Sequence, residues 1–194
     1  MSTRELLILS ATEPDRPGLV AELAGYIAGC GCNVEDSRVS VLGGHAGLMF
    51  LISGEPAHIA KAVDGLPAFR ERSGIRTVAR RLGAEAAGAR ASSAARYIIH
   101  GSAIDHEGII FAITDAVRSH GGNILELETA TESAPMSGEP LFLMEMIVVL
   151  PEGGGAAKRL RDVLETMART QSVEIEMEPA ARANPDEVAA AREH

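Results

Sequence analysis

The stretch Asp15-Arg16-Pro17-Gly18-Leu19 returns ninety positions later as Asp105-His106-Glu107-Gly108-Ile109. At the same offset, Gly31-Cys32-Asn33 returns as Gly121-Gly122-Asn123. Two matches in one register indicate a duplicated domain, and two copies are too few for a solenoid. The sequence therefore predicts two small domains built on one plan.

The hydrophobic pattern around each loop predicts the same local structure twice. Short apolar runs precede both loops and are typical of buried strands. After each loop the apolar residues fall at i, i+1, i+4 and i+8, the stripe of an amphipathic helix. Those stripes are Leu19, Val20, Leu23 and Ile27 in the first copy, and Ile109, Ile110, Ile113 and Val117 in the second.

The rest of the first copy completes a βαββαβ order. We expect a strand over 5–12, a helix over 17–29, strands over 34–42 and 46–53, a helix over 56–69 and a strand over 74–82. Gly43-Gly44 predicts a tight hairpin, whereas the second copy has a longer loop at 133–140. Near the end of the second copy, Val173, Ile175 and Met177 alternate with glutamates, as in an antiparallel sheet with helices on one face.

These boundaries define four segments. The first domain spans 1–82, a linker rich in small residues spans 83–94, the second domain spans 95–178, and a polar tail spans 179–194. A helix capped by Asn184 could begin in that tail. Domains of this size bury little of their surface, so we expect a homo-oligomer, most simply a homodimer.

Composition argues against several classes of partner. A net charge of −9 and 3% aromatic residues do not suit direct contact with nucleic acid, which needs a basic surface. No stretch approaches the roughly 20 apolar residues of a membrane span, and the first residues lack the apolar core of a signal peptide. We therefore expect a cytoplasmic protein without a membrane partner.

The two cysteines, Cys30 and Cys32, leave two readings open. They could form a redox pair or half of a metal site, or they could be small thiols packed where a helix meets a strand. The second copy has His120 and Gly122 at these places, and no ligand spacing for zinc appears elsewhere. We expect no metal, no cofactor and no catalytic residues.

Each Asp loop could cap its helix or bind a ligand. Asp15 is predicted to cap the following helix, with Pro17 in its first turn, which would need no ligand. A helix N-terminus also attracts a carboxylate while an aspartate attracts an ammonium group, so together they match the zwitterion of a free amino acid. Asn33 and Asn123 add a donor and an acceptor, although Asn after Gly is also ordinary turn chemistry.

The length of the helix restricts how these groups could cooperate. A helix of roughly 13 residues spans about 20 Å, so Asp15 and Asn33 of one domain cannot touch the same small ligand. We expect Asp15 to face Asn123 and Asp105 to face Asn33, within a chain or between chains, across a two-fold or pseudo-two-fold contact.

Together, the strand, Asp15-Arg16-Pro17-Gly18-Leu19, the helix and Gly31-Cys32-Asn33-Val34 resemble an ACT domain. The resemblance covers most of residues 4–82 and, more weakly, 95–178. The run from Cys30 to Arg38 is similar to that of tandem-ACT transcriptional regulators without catalytic or DNA-binding domains. It implies an α+β fold of two ferredoxin-like domains paired side by side, with amino acids bound at domain interfaces near the first loop.

Carried over by position, the resemblance implies a set of ligand-binding residues. In the first copy they are Asp15, Arg16, Pro17, Gly18, Leu19 and Asn33; in the second they are Asp105, Gly108, Ile109 and Asn123. Glu107 departs from the motif where the first copy has Pro17. Glu13 and Ala103 occupy the place where some amino-acid-binding members carry a histidine.

The sequence thus predicts a non-enzymatic amino-acid sensor that acts through a partner protein, in the manner of a transcription regulator. The alternative is a structural or dimerising regulatory subunit of a metabolic enzyme, whose loops bind nothing. An enzyme has little support, because no nucleophile and base pair, phosphate loop or metal spacing is present in the sequence.

Overall fold

The computed structural model describes residues 4–83, 94–104, 107–134, 138–171 and 173–180. The chain divides into two compact units, Met1–Ser92 and Ser93–His194. Most of the predicted linker, nearly all of the tail with its Asn184 helix, and Asp105 lie outside the described residues. No helix in the described ranges is both long enough and apolar enough to span a membrane.

The first unit has the βαββαβ order, with its second helical segment divided in two. Its sheet has the strand order β2-β3-β1-β4, and every pairing is antiparallel. The elements are β1 (Glu5–Pro14), α1 (Leu19–Gly29), β2 (Asn33–Leu42), β3 (His45–Gly54), α2 (Pro56–Asp64), α3 (Leu66–Ser73) and β4 (Thr77–Leu82).

The second unit repeats this topology with the strand order β6-β7-β5-β8, again antiparallel throughout. The predicted fold class, two ferredoxin-like βαββαβ domains, is confirmed. The elements are β5 (Ala95–Ile104), α4 (Ile109–Ser119), β6 (Asn123–Ser133), β7 (Pro140–Leu150), α5 (Ala156–Gln171) and β8 (Glu174–Pro179).

Alternation along the strands gives each sheet one face toward the helices. In β1, Leu7 and Leu9 are fully buried, whereas Ile8 and Ser10, which alternate with them, are only partly covered. The buried side packs with the apolar stripe of α1, which includes Leu23 and Ile27. Burying each such side chain stabilises the unit by about 1.5–3 kcal/mol, so the repeated apolar pattern is sufficient to specify the layer. Among the described residues, no helix of either unit packs on the opposite face of its sheet.

The hairpin between β2 and β3 has the predicted two-residue turn. Gly43 and Gly44 have φ of +57° and +74°, the left-handed conformations that a type I′ turn requires at both positions. Near the start of β2 the register shifts between Val34 and Asp36, which makes Glu35 the extra residue of a β-bulge. The second unit has its bulge at the equivalent place in β6.

The single helix predicted over 56–69 is in fact two, and they meet at Gly65. Pro67 lies in the first turn of α3, where its missing N–H is tolerated. Tyr26 of α1 locks this junction, because its hydroxyl donates a hydrogen bond of 2.5 Å to the carbonyl of Ala62 and its ring stacks on Phe69 at 4.4 Å. A methyl group on Gly65 would lie 2.7 Å from that hydroxyl, so the close packing explains the glycine.

Candidate functional site

The first Asp loop is a turn that ends in a left-handed glycine. Gly18 has φ of +87° and precedes α1, and its carbonyl accepts the N–H of Glu22 at 2.9 Å. The backbone N–H of Asp15 donates to the carbonyl of Gly44 at 2.9 Å, which ties the loop to the β2–β3 hairpin. Glycine suits this position because other residues adopt a positive φ only with strain.

The predicted helix cap by Asp15 is wrong. The helix begins at Leu19 instead of residue 17, its N-cap position is Gly18, and no side chain caps it. The turn formed by Arg16, Pro17 and Gly18 separates the Asp15 carboxylate from the first helical N–H groups. Asp15 is exposed, and its side chain makes no hydrogen bond or ion pair within the described part of the chain.

The start of α1 carries unpaired backbone donors. The N–H groups of Val20 and Ala21 make no hydrogen bond to any described residue. Together with the positive end of the helix dipole, they form a place suited to a carboxylate. An exposed carboxylate and two free N–H groups therefore lie on either side of the turn at Pro17 and Gly18.

Arg16 is paired with Glu22. Its Nη1 and Nη2 lie 2.5 and 2.9 Å from the two Glu22 carboxylate oxygens, and Nη2 also approaches the carbonyl of Ser73 at 3.4 Å. The hydrogen bond lowers the pKa of Glu22 and raises the pKa of Arg16, against a smaller opposing effect of partial desolvation. Arg16 thus fixes the loop onto α1 and onto the end of α3. The sequence spacing gave no sign of this pair.

Glu13 has a structural partner that the sequence did not reveal. It is buried at the end of β1, and its Oε1 accepts the backbone N–H of Arg76 at 2.7 Å and lies 3.3 Å from the Arg76 Nε. A carboxylate with a charge-assisted hydrogen bond of this kind holds β1 against the start of β4. Its counterpart in the second unit is the buried Ala103, which offers no such contact.

In the second unit, the described residues Glu107 and Gly108 keep the turn, but Glu107 stands where the first loop has Pro17. Gly108 has φ of +83°, and its carbonyl accepts the N–H of Ala112 at 3.0 Å, as Gly18 does with Glu22. Leu19 and Ile109, the residues that follow the glycines, are each 3% exposed and belong to the cores. Their side chains therefore contribute to the packing of each unit.

Asn33 begins β2 in a small polar cluster. Its Nδ2 donates to Glu35 Oε1 at 3.2 Å, and the hydroxyl of the buried Ser53 donates to the same oxygen at 2.5 Å. The bulge places Glu35 where it can accept both bonds. In the second unit the equivalent positions are the apolar Leu125 and Val149.

Asn123, the counterpart of Asn33, borders a surface cavity of about 350 Å³. Asp115 and Arg118 of α4 line the same cavity and form an ion pair of 2.6 Å with each other. The two asparagines therefore lie in different surroundings, one in a polar cluster with Glu35 and the other beside an ion pair.

Within one unit the loop and the asparagine lie at opposite ends of the sheet. Pro14, next to Asp15, pairs with His45 at one end of β3, whereas Asn33 pairs with Ser53 at the other. Eight residues of strand at about 3.4 Å each separate the two pairs by about 27 Å. A free amino acid cannot contact both Asp15 and Asn33 of the same unit.

The two cysteines are free thiols. Cys30 is buried in the first core and Cys32 is partly buried. Burial, and then the neighbouring Cys30, raise the pKa of Cys32, which disfavours its reactive thiolate form. Within the described ranges, no group of three or more His, Cys, Asp or Glu side chains is arranged to hold a metal ion.

Comparison with known sequences points to one family. The ACT domain family model matches residues 5–80. The glycine cleavage system transcriptional repressor of Escherichia coli (strain K12) is 29% identical over 134 residues, which are 69% of this chain and 69% of the repressor. The repressor of the same name from Shigella flexneri matches equally well.

Solved structures share the fold over nearly the whole chain. A protein of unknown function from Galdieria sulphuraria has a TM-score of 0.75 and 26% identity, covering 92% of this chain and 100% of that one. A structure assigned as a glycine cleavage system transcriptional repressor has a TM-score of 0.68 and 20% identity, covering 93% and 100%. Residues 5–80 thus match the ACT domain family, and the chain as a whole resembles the glycine cleavage system transcriptional repressors in sequence and in fold.

Proposed function

We propose that the chain is a non-enzymatic regulatory protein that binds a free amino acid at its first Asp loop and acts through a partner protein. One observation carries the proposal: the loop has an exposed carboxylate without a partner among the described residues, and unpaired N–H groups of a helix start follow on the other side of its turn. A cap would have explained Asp15 without a ligand, and no cap exists.

The two sides of the turn match the two charges of an amino acid. The Asp15 carboxylate suits the ligand ammonium group, because hydrogen bonds between charged groups are stronger than neutral ones. The N–H groups of Val20 and Ala21 suit the ligand carboxylate. Gly18 leaves the backbone open between them, while the pair of Arg16 with Glu22 keeps the turn in place.

The remaining contact requires a second domain. Since Asp15 and Asn33 are about 27 Å apart within one unit, an asparagine that reaches the same ligand must come from another ACT domain. We propose that Asn33 and Asn123 each contribute to a ligand site whose Asp loop belongs to another ACT domain. Glu107 in place of Pro17 makes the second loop the weaker site.

The relatives' name suggests the process that such a sensor would regulate. We propose that this chain takes part in transcriptional control of glycine cleavage through a partner protein, because its net charge of −9 does not suit direct contact with DNA. Small amino acids, glycine first, are the natural ligands to test.

Isothermal titration calorimetry of the full chain against the free amino acids tests the proposal. We expect saturable binding of at least one small amino acid and a clear loss of affinity in Asp15→Ala. The matched control is Asp64→Ala, which removes an exposed carboxylate from α2 and leaves the loop unchanged. Absence of binding by every amino acid at millimolar concentration would exclude the sensor function and leave a structural role for the loops.

A further inference from the structure

The outer face of the first sheet, defined as the face opposite the helices, is partly apolar and exposed. Met49 and Val78 lie on it with 50% and 69% of their surface exposed. Leu6, Ile8 and Leu51 are partly exposed beside them. Isolated apolar residues on a surface are ordinary, but a connected apolar centre on an open sheet face is typical of an interaction site.

Strand register gives this face an ordered arrangement of charge. One row across the four strands reads Asp36, Leu51, Ile8 and Arg80. The acid therefore lies at the β2 edge, the arginine at the β4 edge, and two apolar side chains lie between them. The next row has Met49 and Ser10 at its centre, with Arg38 and Val78 at its edges.

This arrangement complements itself. If two such faces pack together about a two-fold axis parallel to the strands, β2 of one copy lies opposite β4 of the other. Asp36 then faces Arg80 of the second copy, Arg80 faces Asp36, and Leu51 faces Ile8. Every charge in that row meets its opposite, and the apolar centres meet each other. The ion pair of 2.9 Å between Asp36 and Arg38 is largely exposed and leaves Asp36 able to take a second partner.

The equivalent face of the second unit lacks this property. Its matching row reads Glu126, Ile147, Ile98 and Glu178, and the next reads Glu128, Glu145, His100 and Glu176. The same two-fold would bring Glu126 opposite Glu178, so like charges would repel at both edges. If the outer face of the first sheet packed on that of the second, Glu145 and His100 would be buried against Met49 and Ser10. Both polar side chains would then lose their hydration.

We propose that the outer face of the first sheet is a dimerisation surface whose partner is the same face of a second copy of this chain. Three strands of 10 residues and one of 6, spaced about 4.8 Å apart with a rise of about 3.4 Å per residue, give a face of roughly 590 Å² per copy. About 1,200 Å² in total is at the small end of specific interfaces, so the dimer is weak and depends on concentration.

Sedimentation velocity of the full chain over a concentration series, with charge-reversal variants, tests this surface. Asp36→Arg and Arg80→Asp each place like charges opposite each other at both symmetric contacts. We expect each variant alone to raise the dimer Kd by about tenfold or more. An equimolar mixture of the two variants restores association, because both contacts are then between opposite charges. Arg70→Asp, on the exposed surface of α3, makes the same charge change off this face and leaves the Kd unchanged.

Other outcomes would overturn the proposal. A monomer at every concentration would do so, as would a dimer that neither charge reversal weakens. If both variants weaken the dimer and their mixture does not recover it, the faces do not meet about the proposed axis. If Glu178→Arg restored the association that Arg80→Asp weakens, the partner of the first face would instead be the acidic face of the second unit. Circular dichroism of each variant verifies that its fold is intact.

Discussion

Replacement of Asp15 by alanine separates a ligand-binding role from a helix-capping role. Loss of a capping aspartate costs about 0.5–2 kcal/mol of stability. In the structure Asp15 is exposed, caps nothing and has no side-chain partner among the described residues. We therefore expect Asp15→Ala to change the free energy of unfolding by no more than about 0.5 kcal/mol, as for ordinary surface substitutions.

The effect on ligand affinity should be much larger. A hydrogen bond between charged groups is worth about 1.5–3 kcal/mol, which corresponds to a loss of about 10-fold to 150-fold in affinity. Gly18→Ala is the contrasting variant, since a side chain at φ of +87° costs about 1–2 kcal/mol. It should lower the stability of the first unit, whereas Asp15→Ala should not.

The two tyrosines of the chain allow the first unit to be followed separately. Tyr26 lies in the first unit and Tyr97 in the second, and the chain has no tryptophan. In a Tyr97→Phe background, tyrosine fluorescence during urea unfolding reports the first unit alone. Calorimetry on the same proteins gives the affinities. If Asp15→Ala lost 1 kcal/mol or more of stability and bound amino acids as before, the ligand role would be wrong and the cap would be real.

Three further predictions concern the helices of the first unit and its thiols. Gly65→Ala should destabilise the unit by about 1 kcal/mol, because its methyl group would displace the Tyr26 hydroxyl from Ala62. In a Tyr26→Phe background the same change should cost less, because the contact of 2.7 Å is gone and only the Lys61 carbonyl, at 3.1 Å, stays close to the methyl group. Equal effects in both backgrounds would contradict this packing. Burial raises the pKa of Tyr26. The contribution of its neutral hydroxyl to the free energy of unfolding should therefore be complete below about pH 10 and lost as the pH rises further. Urea unfolding of wild type and Tyr26→Phe at pH 8 and above pH 10 measures that contribution. Iodoacetamide should modify native Cys32 more slowly than a free thiol at pH 8 and Cys30 more slowly still, as mass spectrometry can show; rapid modification of Cys30 would contradict its burial.

Local sequence patterns predicted the layers of this fold because they depend on neighbouring residues. The helical stripe from Leu19 to Ile27 and the alternation along β8 act within single elements, and the ninety-residue repeat is visible by comparing the sequence with itself. Gly43-Gly44 predicted its turn because only residues that tolerate positive φ fit a type I′ hairpin. These features need no knowledge of distant contacts.

The features that the sequence did not predict depend on the backbone conformation of a turn or on contacts between elements. Asp15 looks like a cap until the turn at Gly18 places the helix start four residues later. The break at Gly65 follows from the position of Tyr26 on another helix. The pairing of Arg16 with Glu22 depends on the turn at Gly18. The row from Asp36 to Arg80 appears only once the register of four strands is known.

Backbone NMR during a titration with free amino acids tests the central claim most directly. The account predicts that a small amino acid shifts the amide signals of Val20 and Ala21 in a saturable manner. It also predicts that Asp15→Ala abolishes these shifts at the same ligand concentration. Saturable shifts that spare the start of α1, or shifts there that persist in Asp15→Ala, would contradict an amino-acid site at the first loop.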